Sequence, residues 1–134
     1  MSPSHQMMTP ILADTSAWVD YLRSPQAALL PLVEANTAAT CEPVAMELLS
    51  GTRNEDEWTS IRRLMDRAPL VPFDSLADFE GAARIRRVAS SVGISLGSVD
   101  CMILAAAART GSAFMTLDTK QAAVGSQIGV LVVG

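Results

Sequence analysis

The chain has 134 residues, 49% of them hydrophobic, and a formal net charge of −4. That length suits one domain with a real core, since a chain of this size buries roughly two-thirds of the surface its unfolded form exposes. The apolar residues come in short bursts, none near the ~18 a membrane span needs, so a soluble chain with no membrane partner is expected. The acidic balance excludes a general electrostatic grip on nucleic acid.

Two cysteines, Cys41 and Cys101, have no nearby Cys or His, which excludes a zinc motif and a secreted disulfide framework and points to a reducing cytoplasm. Residues 1–9 lack the basic start and apolar middle of a secretory signal and read as a flexible tail. It carries His5 and two alternative starts, Met7 and Met8. Residues 10–134 read as a single domain. Six of the nine arginines fall in two groups, Arg62, Arg63, Arg67 and Arg84, Arg86, Arg87. These are either solvated helix faces or a local basic patch suited to phosphate oxygens.

In chain order, Pro10-Ile11-Leu12-Ala13 reads as a strand ending in Asp14, and Trp18, Val19, Tyr21 and Leu22 begin an amphipathic helix. Ser24-Pro25 breaks the chain. Helical spacing resumes over residues 26–34, with Pro31 interrupting it. Residues 37–41 are a second strand, and Glu42-Pro43 starts a helix that Ser50-Gly51 ends. Asn54 caps a further helix with Trp58, Ile61, Leu64 and Met65 on its apolar stripe. Leu70-Val71-Pro72-Phe73 is a third strand. Asp74 or Ser75 then caps a long helix to about Val92, with Leu76, Phe79, Ala83 and Val88 inward. Residues 99–109 make an almost wholly apolar, hence buried, helix. Residues 113–117 and 128–133 supply a fourth and a fifth strand. Strands separated by helices predict an α/β fold of three layers, α/β/α, around a parallel sheet of about five strands.

On that map Asp14 ends the first strand, Glu47 follows the second on its helix, Asp100 opens the buried helix and Asp118 ends the fourth strand. In an open parallel sheet, ligands bind outside the carboxyl ends of the strands. Each acid alone has an ordinary explanation: Asp14 or Ser16 as a helix cap, Asp100 against a helix dipole, Asp118 in a turn with Thr119, Glu47 in solvent. Their joint placement points elsewhere. Converging carboxylates repel, each close pair by roughly 4 kcal/mol at an effective dielectric of about 20, and a cation relieves that repulsion. Oxygen donors without His or Cys select hard ions, hence Mg²⁺ or Mn²⁺, one or two of them. Such an ion activates water for attack on a phosphodiester, with an acid such as Asp100 accepting the proton. Thr15, Ser16 and Thr116 are placed to assist as hydroxyl donors.

These residues resemble the PIN-domain ribonucleases, specifically the VapC toxins of bacterial toxin–antitoxin modules. The resemblance runs over nearly the whole chain from Ile11. It rests on Leu12-Ala13-Asp14-Thr15-Ser16-Ala17-Trp18, on residues 42–51 around Glu47, on residues 100–108 after Asp100, and on Thr116-Leu117-Asp118. It implies a PIN-like fold, a metal site of Asp14, Glu47, Asp100 and Asp118, an RNA substrate, a VapB-like antitoxin that silences the enzyme, and a homodimer. Two departures stand out. Many members carry a further Asp two residues after the last acid, with an aromatic soon after, where this chain has Lys120 and Gln121; that bears on a second metal and on Asp118. Ser90 stands where many carry an Arg, so RNA contacts fall to Arg84, Arg86 or Arg87.

Other chemistries fit less well. A dehalogenase-like phosphatase needs an Asp where Ser16 stands, a receiver domain needs adjacent acids after its first strand, and nucleotide-binding folds need a glycine-rich turn. The alternative from another class is a PIN-like module that binds RNA or a partner and cleaves little, to which the acidic charge and Lys120 point.

Overall fold

A computed structural model describes residues 9–134. The tail expected over residues 1–9 lies outside them but for Thr9. Four short strands form one parallel sheet: β1 (Ile11–Ala13), β2 (Ala38–Ala39), β3 (Ala113–Met115) and β4 (Val132–Val133), in the order β2-β1-β3-β4. The central strands are apolar at successive residues, as a parallel sheet covered on both faces requires. Leu12, Ala13, Ala39 and Phe114 are wholly buried.

Seven helices accompany the sheet among the described residues: α1 (Thr15–Arg23), α2 (Leu30–Glu34), α3 (Glu42–Ser50), α4 (Glu55–Arg67), α5 (Ser75–Ser91), α6 (Ser98–Thr110) and α7 (Thr119–Gln127). None is long and apolar enough to cross a membrane. The chain leaves β1 for β2 on one side and returns from β2 to β3 on the other. With right-handed crossovers, the gap beyond the carboxyl ends of β1 and β3 is therefore a topological switch point. The backbone N–H of Asp14 donates to Met115 O at 3.0 Å, carrying the β1–β3 ladder up to that gap.

Four sequence expectations change. The strand at Leu70–Phe73 reduces to a bridge between Thr40 and Leu70, with Thr40 N donating to Pro69 O and Val71 N to Thr40 O. Pro69 and Pro72 have no N–H, so the ladder cannot extend. Residues 24–29 are turns and only Leu30–Glu34 is helical, with Pro31 in its first turn, where a missing N–H costs nothing. Beyond the turn expected at Asp118-Thr119, residues to which the sequence assigns no element form a helix, Thr119–Gln127, capped by Asp118.

The last change concerns the face of α5. Asp78, Ala82, Ile85 and Ala89 are its buried residues, whereas Leu76 and Phe79 are 85% and 56% exposed. Asp78 turns inward because Arg109 of α6 meets it: Arg109 Nε lies 3.0 and 3.1 Å from the two Asp78 oxygens, and Asp74 N donates to Oδ2 at 2.8 Å. Arg109 also donates to Pro72 O. A buried carboxylate needs such pairing. The clamp fixes α5 against α6, whose wholly or nearly buried Cys101, Ile103, Leu104 and Ala105–Ala107 fill the core.

Candidate metal centre

Asp14 stands at the switch point because β1 ends one residue before it. Its backbone is extended, and its Oδ1 accepts from Ala17 N at 2.9 Å, so it caps α1. Oδ1 also accepts from Ser16 Oγ at 2.7 Å, and Oδ2 accepts from Thr116 Oγ1 at 2.6 Å. The carboxylate is 3% exposed and held on three sides. Ser16, an alternative cap in the sequence, instead binds Asp14 and accepts from Leu117 N at 3.0 Å. Thr15 Oγ1 donates to Glu47 Oε1 at 2.5 Å, which ties α3 to the head of α1. All three hydroxyls picked out from the sequence therefore touch the acids or each other, Ser16 and Thr116 lying 3.3 Å apart.

Asp118 caps α7, its Oδ1 accepting from Lys120 N at 2.9 Å and Gln121 N at 3.1 Å. Asp100 lies in the first turn of α6. Its carboxyl is pushed up to about 6, first by burial and then by repulsion from Glu47, Asp118 and Asp14. Four elements thus deliver four acids, three of them near enough to Asp100 to raise it. As they stand, no three Asp, Glu, His or Cys side chains among the described residues close round one point as a metal cage. What fits a cation is the donor chemistry: an all-oxygen set, hard in character, in which one member already resists ionising beside the other three.

The arginines divide. Arg86 Nη1 donates to Ser98 Oγ at 3.0 Å, which ties it to the first residue of α6. Arg84 is tied to Glu80 at 2.9 Å along its own helix, and Arg87 is exposed. A cleft of about 560 Å³ opens beside Glu47, walled by Val19, Leu22, Leu48 and Ile61, with Arg53 at its rim. Sequence reasoning missed Gln121, which is wholly buried behind the site. Its one signal was a polar residue three positions after Asp118, visible only once α7 is recognised as a helix.

The PIN domain family model matches residues 11–127, and the chain belongs to the PIN-domain family. Among curated relatives, Ribonuclease VapC11 of Mycobacterium tuberculosis (strain ATCC 25618 / H37Rv) is 39% identical over 115 residues, 81% of this chain and 86% of that one. Two solved structures share the fold. DNA-bound VapBC from Salmonella typhimurium has a TM-score of 0.76 at 17% identity, over 93% of this chain and 97% of that one. VapBC-1 from nontypeable Haemophilus influenzae has a TM-score of 0.74 at 14% identity, over the same shares, 93% and 97%.

Proposed function

We propose that the chain is a metal-dependent endoribonuclease and the toxin of a toxin–antitoxin pair, cleaving RNA phosphodiesters at the edge formed by Asp14, Glu47, Asp100 and Asp118. The observation that carries this reading is the gathering of four carboxylates from four elements, with Glu47 held by Thr15, Asp14 held by Ser16 and Thr116, and Asp100 raised to about 6 by burial and by the other three. A fold gathers such mutually repelling groups where a cation is to be held. The curated VapC relatives are named ribonucleases, and that activity is what we carry to this chain.

Asp14, Glu47, Asp100 and Asp118 would hold Mg²⁺ or Mn²⁺, as one ion or two. When bound, such an ion supplies Lewis-acid activation of water and neutralises charge developing at phosphorus. The chain's own residues do the rest. Ser16 and Thr116 fix the Asp14 carboxylate, and Thr15 fixes Glu47, before any ligand arrives. Asp100, half-buried at the start of α6, takes the proton released by the attacking water. Arg86, beside Ser98, receives an RNA phosphate, with Arg84 and Arg87 further along α5 extending the track.

The partner is a VapB-like antitoxin, since the solved neighbours are VapBC assemblies. The apolar cleft ending at Glu47 supplies a surface for it. The toxin itself is a homodimer of the cytoplasm. The test is RNA cleavage with Mg²⁺ or Mn²⁺ by the wild type, Asp14→Asn and Asp100→Asn purified side by side. Cleavage that EDTA abolishes, and that falls at least 100-fold in both folded variants, supports the reading. Equal residual activity in all three refutes it and leaves a PIN-like binding module.

A further inference from the structure

Gln121 is a wholly buried polar side chain with no part in the site as described so far. It sits in the first turn of α7, three residues after the cap Asp118. A Gln at that position ordinarily reaches back to the backbone N–H of the cap residue. Here that N–H is already taken, donating to Thr116 Oγ1 at 3.0 Å, and the Gln121 amide turns into the core instead. Its Nε2 donates to the backbone oxygen of Asp100 at 3.3 Å, and its Oε1 faces Thr116 Oγ1 at 3.1 Å. Thr116 has one proton for two acceptors. The nearer and charged Asp14 Oδ2 takes the larger share, while Gln121 bounds the hydroxyl on its other side.

We propose that Gln121 is a positioning residue of the carboxylate site, holding Asp100 through its main chain and Asp14 through the Thr116 hydroxyl. The inference rests on the nuclease reading above and names what sets its geometry. One amide joins α7 and the first turn of α6, which deliver Asp118 and Asp100, to Thr116 just past β3, whose hydroxyl holds Asp14. An apolar side chain would fill the same space and leave the Asp100 carbonyl and the Thr116 hydroxyl without their shared partner. Removing the hydrogen bonds that orient metal-binding side chains typically costs 10–100-fold in metal affinity or activity.

The test is calorimetric titration of the full chain with MnCl₂, wild type against Gln121→Met, both checked for fold by circular dichroism. Gln121→Met is expected to bind Mn²⁺ at least 10-fold more weakly, and in RNA cleavage to lose kcat while KM for RNA stays within twofold. Mn²⁺ affinity and kcat equal to wild type, with only a lower Tm, would make Gln121 a packing residue and overturn the assignment. If Gln121→Met does not fold, Thr116→Val removes the hydroxyl Gln121 bounds, and unchanged Mn²⁺ affinity there overturns it equally. A wild type that binds no Mn²⁺ refutes the nuclease reading and this inference together.

Discussion

Replacing Arg109 with Met removes the guanidinium from a buried carboxylate and leaves a side chain of similar reach. The Asp78 side chain is 2% exposed, and without Arg109 its remaining partner is Asp74 N at 2.8 Å. Breaking a buried ion pair from one side costs about 3–5 kcal/mol, because the remaining charge is stranded. The Arg109 side chain is 33% exposed, so water reaches the vacated position and the low end, about 3 kcal/mol, applies. For a domain of this size that lowers Tm by roughly 10 °C. Asp78→Asn is milder, about 1–2 kcal/mol, because an amide oxygen still accepts and Arg109 turns outward to solvent. The double variant then costs less than the sum of the two by at least about 1 kcal/mol. Urea unfolding followed by circular dichroism measures all three. Additive losses, or an Arg109→Met loss below about 1 kcal/mol, would refute the claim that the clamp holds α5 against α6.

A carboxyl raised to about 6 in the fold, above its ordinary 3.8, binds its proton more tightly folded than unfolded. In EDTA, Asp100 therefore favours folding increasingly as pH falls from 7 through 6 toward 4, and Asp100→Asn removes that component; identical Tm profiles for the two proteins would contradict it. Burial pushes the Cys41 thiol up to about 12, and Cys101 is 1% exposed, so neither should react with a thiol reagent at pH 8 until denaturant is added. Leu76→Lys should change stability by less than about 0.5 kcal/mol, whereas Ile85→Ala should cost about 2–4 kcal/mol, as measured by urea unfolding. The reverse ranking would show that α5 buries its other face.

That helix marks where sequence reasoning ran out. Apolar spacing offers Leu76, Phe79 and Ala83 as a stripe, and nothing local tells that an Asp will be the buried residue; the reason lies in Arg109, 31 positions away. The ring of Phe79 settles instead edge-on against Phe73, 5.1 Å between centroids. The β1–α1 and α6 segments were legible because their patterns are local: an apolar run closed by Asp14, and a run of small apolar residues opened by Asp100. The resemblance to the PIN family drew on those segments together with residues 42–51 and Thr116-Leu117-Asp118. The helix after Asp118 was hidden by Gly125 and by a polar first turn, and Gln121 was hidden with it. Glycine lowers helical preference, yet here it lets α7 lie close to its neighbours: a Cβ at Gly125 would come within 3.2 Å of Val132 and 3.3 Å of Leu104.

Asp14 follows the first strand, caps the first helix and faces the acidic edge, and that overlap decides which substitution best tests the proposed site. Alanine there would remove the cap together with the charge, costing about 1–2 kcal/mol, so lost activity and lost fold would arrive together. Asparagine keeps an oxygen for Ala17 N and Ser16 Oγ, and its new amide faces Thr116. Thr116 has an answer already in place: rotating its hydroxyl gives the proton to Gln121 Oε1 and offers the amide a lone pair. The architecture thus contains the spare acceptor that lets an Asp14→Asn copy stay folded, which under the proposed nuclease reading makes it the form in which to capture an uncut RNA or a partner chain.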